Sequence, residues 1–211
     1  MSGLRTISAV LSALVFLSGC AVGVTHQYDN VAPTIQTSGQ TAAFTVAVQD
    51  QRPYVVSGAK PQTFVGLSRG GFGNPFDVNT ASGKALSDDI SDVVARALSQ
   101  RGAKVDVIKV APQNMEKAII QSLAAKNVRA VLISISEWKS DTYMTVSLHY
   151  DVTVSIVEPD GRIAAKNRIF GTDNLGSSGL NPPERSRQVI PPAFKQKMEQ
   201  LFSSPEVAPL L

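Results

Sequence analysis

The chain has 211 residues, of which 43% are hydrophobic and 18% are charged, a composition typical of a folded domain with a sizeable core. Its 20 basic and 17 acidic residues nearly balance, so the charge is only weak evidence for an anionic partner, and no nucleic acid is expected as a partner. With one cysteine and two histidines, the chain cannot form an internal disulfide and offers too few ligands for a zinc site built from these residue types.

The first residues have the three-part layout of a secretory signal peptide. Arg5 supplies a positive charge, and the apolar run 7–17 is too short to span a bilayer, which takes about 20 residues. The segment Leu17-Ser18-Gly19-Cys20 then resembles the lipobox of bacterial lipoproteins. The resemblance implies a signal peptide over 1–19, cleavage between Gly19 and Cys20, and a diacylglycerol on the Cys20 thiol. Because Ala21 rather than aspartate follows, it also implies anchoring in the outer membrane, facing the periplasm.

The next part of the chain predicts a tether followed by one domain. Residues 20–42 are small and polar and show no helical period, so we expect a lipidated cysteine and a flexible tether there. Residues 43–211 predict a single α+β domain. Its first strand is expected over 43–50, where apolar and polar residues alternate. Prolines and glycines interrupt residues 51–82, which indicates an irregular excursion that could contain a small hairpin.

Two helices and two strands are predicted next. Helix 84–101 carries an apolar stripe at helical spacing, formed by Leu86, Ile90, Val93, Val94, Ala97 and Leu98. A strand is expected over 104–110, and a second helix, opened by a proline, over 113–126. The strand predicted over 128–138 is apolar on both faces at its centre, so it should be a covered, central strand.

The strongest strand pattern covers residues 142–157, where every even position from Met144 to Ile156 is apolar and the odd positions from Thr145 to Ser155 are polar. We therefore expect the even positions to be buried and the odd positions to lie on a wetter face. A Pro-Asp-Gly turn leads to a return strand over 162–170. The polarity pattern favours pairing Val157 with Arg162, whereas the turn chemistry favours pairing Glu158 with Arg162. The chain should end in a helix over 182–203 that is broken at Pro191-Pro192. These elements predict a mixed or antiparallel sheet of about five strands.

This order of elements resembles the YajG-like family of small bacterial lipoproteins. The resemblance rests on the lipobox at 17–20, the helix end and strand start at 97–105, the long alternating strand, the turn at Asp160-Gly161 and the terminal helix. It implies an α+β periplasmic domain of unassigned function, and it does not imply catalytic residues or a cofactor.

Two groups of residues could support an enzyme. Gly66-Leu67-Ser68-Arg69-Gly70 matches the G-x-S-x-G elbow of α/β-hydrolases, but glycines and a proline follow where that elbow needs a helix. His149 and Asp151 share the polar face of the long strand and could form a proton-transfer pair. An envelope hydrolase using Ser68 or the pair His149/Asp151 is therefore the alternative to a non-enzymatic lipoprotein.

Two surfaces could bind a partner such as an envelope protein or peptidoglycan. Phe72 and Phe76 lie in a glycine-rich loop, where they could contact a partner or fold back onto the core. Arg162, Lys166 and Arg168 lie on one face of the return strand, where they could bind an anionic partner or form modest cross-strand pairs on a solvated face. The sequence thus favours a non-enzymatic, membrane-anchored envelope lipoprotein that needs no cofactor and acts as an accessory or binding module.

Overall fold

The computed structural model describes residues 23–36 and 43–211, so Gly19 and Cys20 lie outside the described residues. The described part is an α+β fold with eight strands and four α-helices. The strands are β1 (Thr25–His26), β2 (Ala43–Asp50), β3 (Phe64–Arg69), β4 (Pro75–Thr80), β5 (Lys104–Lys109), β6 (Arg129–Thr142), β7 (Thr145–Val157) and β8 (Ile163–Ser177). The helices are α1 (Pro53–Val56), α2 (Leu86–Ser99), α3 (Glu116–Ala124) and α4 (Pro182–Phe202), and a 3-10 turn follows at Ala208–Leu210.

One mixed sheet contains all eight strands of the described residues. Strand β6 is central, and it is long enough for two strands to pair with the same edge. Its first half pairs in parallel with β2, and its last residues pair in parallel with β3. Beyond β2 lies β5, and beyond β3 lie β4 and then β1. The other edge of β6 pairs with β7 in antiparallel fashion, and β7 pairs with β8. The prediction of about five strands was too low, because it did not count β1 or the two strands of the possible hairpin in residues 51–82.

The two faces of the sheet differ as the alternating pattern of β7 predicts, except that Ser155 on the odd-numbered face is buried. Val146, Leu148, Val152 and Val154 are fully buried in the larger core, which α2 and α4 cover. A smaller cluster on the opposite face lies under α3, and residues 130–133 of β6 contribute to both clusters. The central position of β6 and the burial of the even positions of β7 are therefore confirmed. Met144 is the exception, since it lies in the β6–β7 turn and is exposed.

The segment predicted to be a flexible tether is part of the fold where it is described. Strand β1 pairs in parallel with β4, and Tyr28 and Ile35 are buried in the larger core. The hydroxyl of Tyr28 accepts a hydrogen bond of 3.1 Å from the indole N–H of Trp138, and its ring packs edge-on against Phe194. The tether prediction is thus wrong for residues 23–36, because a few isolated large side chains bury this segment without any regular period.

The β7–β8 hairpin combines features of both predicted registers. The backbone N–H of Glu158 donates to the carbonyl of Arg162 at 2.8 Å, as the Pro-Asp-Gly turn favours. A bulge after Ile156 then shifts the pairing, so that Val157 faces Ile163 and Thr153 faces Arg168. The predicted pairing of Val157 with Arg162 is therefore wrong. The bulge lets the turn take its preferred geometry without turning the polar residues of β8 toward the core.

Helix α4 runs through Pro191 and Pro192 without interruption, so the predicted break is wrong. Each proline removes one backbone hydrogen bond, at a local cost of about 3 kcal/mol. Buried side chains on both sides of the proline pair, among them Ile190, Phe194 and Met198, offset this cost by packing into the larger core. Tertiary packing thus overrides local helix propensity.

The remaining elements follow the sequence pattern closely. Residues 51–82 contain the short helix α1 and the antiparallel pair β3–β4, which confirms the small hairpin. Helix α2 begins after Ala85, and its apolar stripe is buried as predicted. Within the described residues, none of the helices combines the length and the apolar character that crossing a bilayer requires.

Candidate functional site

Three connections of the sheet meet at one end of the molecule: the β3–β4 turn, the β6–β7 turn and the β8–α4 loop. Ser178 joins the last two, because its backbone N–H donates to the carbonyl of Met144 at 3.0 Å and its hydroxyl donates to the carbonyl of Tyr143. Arg69, at the end of β3, forms two hydrogen bonds of 2.9 and 2.7 Å with the carboxylate of Asp141 in β6. These contacts hold the three connections side by side.

Large hydrophobic side chains are exposed on all three connections. Phe72 is 98% exposed and Met144 is 73% exposed, and Leu180 has no measurable burial. Phe76 and Tyr143 beside them are about half exposed. We call the set Phe72, Phe76, Tyr143, Met144 and Leu180 the apolar end. Among the described residues, it contains five of the nine large hydrophobic side chains that are exposed, so the exposure is concentrated in one region.

A groove of about 670 Å³ lies within the apolar end. Glycines at 70, 71 and 179 leave space along its wall because they carry no side chains. Among the described residues that line it, Arg69 is the only charged one, and it is paired with Asp141. The chain enters the described structure here, since Gly23 and Val24 form part of the groove wall.

The structure does not support a hydrolase elbow at Ser68. Ser68 lies within β3, opposite Phe76 of β4 and Thr142 of β6, and not at a turn from a strand into a helix. Within the described residues, no histidine, aspartate or glutamate side chain is hydrogen-bonded to its hydroxyl. The G-x-S-x-G match instead reflects close packing, because a Cβ at Gly66 would lie 2.0 Å from Oγ and 2.6 Å from the carbonyl oxygen of Ser140.

His149 and Asp151 share a face of β7 but do not act on one another. Nδ1 of His149 lies 2.9 Å from the hydroxyl of Thr172 in β8. Both carboxylate oxygens of Asp151 accept hydrogen bonds of 2.7 Å from the guanidinium of Arg168. The predicted pair is thus two separate cross-strand contacts, and neither contact resembles a base held by a carboxylate.

The basic residues of β8 and its turn are mostly paired and lie far from the apolar end. The guanidinium of Arg168 binds the carboxylate of Asp151. Nζ of Lys166 lies 3.8 Å from Oε1 of Glu116. Nε of Arg162 lies 3.9 Å from Oδ2 of Asp160. Arg162 adjoins the β7–β8 turn, whereas Phe72 and Phe76 adjoin the β6–β7 turn at the other end of the 13-residue strand β7. The two predicted partner surfaces are therefore separate, and the basic one resembles a solvated sheet face with exposed ion pairs.

Arg52 and Asp50 form a fully buried ion pair that no sequence pattern indicates. The guanidinium donates to the carboxylate at 2.8 and 2.6 Å, and to the carbonyls of Phe64 and Trp138 at 2.5 and 3.2 Å. Burial alone would lower the pKa of Arg52, but the hydrogen bonds to Asp50 and its charge outweigh burial and raise this pKa. The pair joins β2 to β3 and β6, so its role is structural.

His26 in β1 is a second buried ionisable group. Its Nε2 lies 3.3 Å from the hydroxyl of Ser186, which itself donates to the carbonyl of Pro183 at 2.9 Å, while Nδ1 has no hydrogen-bond partner among the described residues. Desolvation by burial, together with the charge of Arg187, lowers the pKa of His26 to about 3. The ring is therefore neutral at physiological pH and packs as part of the core.

No metal site is formed within residues 23–36 and 43–211, where no three potential ligands among His, Cys, Asp and Glu come together. The described residues thus offer a groove and an exposed apolar surface.

Comparison with known proteins shows the fold. Neither a protein-family model nor a curated protein sequence matches the chain. A solved structure of protein XCC0632 from Xanthomonas campestris, of family DUF330, is 15% identical over 84% of this chain and 91% of its own, with a TM-score of 0.53. PelC from Paraburkholderia phytofirmans, solved as a dodecamer, is 11% identical over 81% of this chain and 95% of its own, with a TM-score of 0.39. Lipoprotein GNA1162 from Neisseria meningitidis is 13% identical over 75% of this chain and 99% of its own, with a TM-score of 0.30. The likeness to the Xanthomonas protein shows a shared fold, and the YajG-like relationship stays a prediction.

Proposed function

We propose that the chain is a non-enzymatic envelope lipoprotein, anchored by acylated Cys20 in the inner leaflet of the outer membrane and acting as an accessory or binding module. The observation that carries this proposal is the motif Leu17-Ser18-Gly19-Cys20, placed directly before a segment that belongs to the folded domain. A lipobox has its expected effect only when it separates a removable signal peptide from the mature protein. The start of the fold shortly after Cys20 supports that arrangement.

The packing of residues 23–36 also supports a close association with the membrane. Two residues lie between Cys20 and Gly23, so the three Cα–Cα steps that join them reach at most about 11 Å. A domain attached in this way stays near the bilayer, in contrast to one on a long tether. A partner would therefore have to meet the module at the membrane surface.

The separation of the candidate catalytic groups supports a binding role over an enzymatic one. Ser68 is held within a strand, no histidine or carboxylate of the described residues is hydrogen-bonded to its hydroxyl, and Asp151 is fully engaged by Arg168. The envelope partner, whether a protein or peptidoglycan, would then be bound and not chemically changed.

Fractionation of cells that express the full chain tests this function. The wild-type protein should float with outer-membrane vesicles on a sucrose gradient, and Cys20→Ala should abolish this flotation. Gly19→Ala is the matched control, since it keeps a small residue before the cleavage site. Ala21→Asp should move the protein to the inner-membrane fraction. A Cys20→Ala protein that still floats with the outer membrane would refute the anchor.

A further inference from the structure

The side chains of the apolar end do not contribute to the hydrophobic core. Phe72, Met144 and Leu180 project from three different connections, and most of each side chain is exposed to solvent. Connections between strands usually carry polar residues, because the backbone there is exposed to water. Three connections that present large apolar groups on one side of a molecule therefore indicate an apolar partner.

The path of the chain indicates which partner this is. Gly23 forms part of the wall of the groove within the apolar end. Under the proposed function, on which this inference rests, the acyl chains are attached to Cys20, at most about 11 Å from Gly23. The lipid anchor and the apolar end are thus on the same side of the molecule.

We propose that the apolar end docks into the surface of the phospholipid bilayer, with Phe72, Met144 and Leu180 among the acyl chains. Tyr143, which is about half exposed, would lie at the level of the headgroups, where tyrosine is favoured, and the half-exposed Phe76 would lie at the boundary with the acyl chains. Docking of this kind places apolar groups about 5–10 Å into the boundary between headgroups and acyl chains. The anchor then holds the domain in one fixed orientation, with the β7–β8 turn directed away from the membrane.

Charge gives this docking a distinctive property. Among the described residues that line the groove, Arg69 is the only charged one. Its charge is neutralised by Asp141, whose Oδ2 lies 2.7 Å from Nη2 of Arg69. Attraction to anionic headgroups is therefore not required. Docking should be equal on zwitterionic and anionic bilayers and insensitive to salt.

Fluorescence quenching by lipids tests the proposal on the acylated protein, in which the acylated Cys20 has no free thiol. Single variants Phe72→Cys, Met144→Cys and Leu180→Cys are labelled with an environment-sensitive fluorophore and reconstituted in phosphatidylcholine vesicles whose acyl chains carry a doxyl quencher. Met115→Cys and Phe170→Cys are the controls, because they are also exposed hydrophobic positions but lie outside the apolar end. All five positions are surface positions, so the variants should fold.

We expect several-fold stronger quenching at the three positions of the apolar end than at the two controls, and the same difference with phosphatidylglycerol and in high salt. Equal quenching at all five positions would overturn the proposal. A second result would also overturn the proposal: the labels at the apolar end are already shielded from water before lipid is added, and the protein has twice the mass of one chain. That result would indicate that a second copy of the chain covers the apolar end.

The mass of the N-terminal peptide in the same preparation separates the two ideas. An unmodified Cys20 would contradict the proposed function. In that case the labels are introduced into the Cys20→Ala chain, and quenching still decides whether the apolar end enters the bilayer.

Discussion

Replacement of Val152 by aspartate is the most severe test of the two-sided sheet. Val152 is fully buried and lies between Ile135 of β6 and Ile169 of β8. Val152→Asp removes a buried side chain worth about 1.5–3 kcal/mol. At pH 7 the new carboxyl group must also become neutral, and a rise in its pKa of about three units costs about 4 kcal/mol. The total of roughly 6 kcal/mol is comparable to the whole free energy of unfolding of a typical domain, so this variant should be largely unfolded.

Urea unfolding followed by circular dichroism measures this effect, with Thr153→Asp as the matched control. Thr153 is the next residue on β7 but points to the opposite face, where it lies opposite Arg168 and is partly exposed. A carboxylate there should change the free energy of unfolding by about 0.5 kcal/mol or less. Equal urea midpoints for the two variants would show that both faces of β7 are covered and would refute the reasoning.

Three further predictions concern the buried polar groups and α4. The folded-state pKa of His26, about 3, lies below its unfolded value of 6.5, so stability is lost as pH falls from 6.5 toward 3. Relative to His26→Leu, the wild-type protein should lose about 2 kcal/mol between pH 7 and pH 5 in urea melts, and an identical pH dependence of the two proteins would contradict a neutral buried ring. The comparison with His26→Leu is needed because burial raises the pKa of Asp89 to about 6. Protonation of Asp89 stabilises the folded protein as the pH falls, which opposes the loss of stability from His26. Arg52→Met should cost about 3–5 kcal/mol by leaving the Asp50 carboxylate unpaired, and the double variant with Asp50→Leu should recover much of the loss in the same assay. Pro192→Ala should raise the thermal midpoint, since it restores a backbone donor at an exposed helix position, and a lower midpoint would show that the proline is required.

Regular periods explain which parts of the fold could be predicted from the sequence. The alternation along β7 and the apolar stripe of α2 are set by geometry that repeats every two or 3.6 residues, so the side chains that share a face share an environment. For the same reason, the apolar centre of β6 indicated a strand that is covered on both sides. The structure confirms all three elements.

Features that depend on single contacts could not be predicted in this way. Tyr28 and Ile35 bury the segment before β2 without any period, and Arg52 is buried only because Asp50 and three backbone carbonyls surround it. The helix through Pro191-Pro192 depends on the packing of its buried side chains into the larger core, and these contacts exist only in the assembled fold.

The candidate site was predicted in part. The sequence indicates Phe72 and Phe76 as candidate partner residues, but the even-numbered pattern of β7 places Met144 on the apolar face, whereas the structure exposes it in the β6–β7 turn. Leu180 is a single apolar residue in a polar loop, so no sequence pattern predicts its role in the apolar end. The three connections become neighbours only through the pairing of β6 with both β3 and β7.

The lipid anchor at Cys20 is the central claim, and mass spectrometry of the N-terminal peptide of the protein purified from bacterial membranes tests it most directly. We predict that the peptide begins at Cys20, lacks residues 1–19, and carries the added mass of a diacylglycerol on the cysteine. A peptide that retains residues 1–19, or one that contains an unmodified Cys20, would contradict the claim.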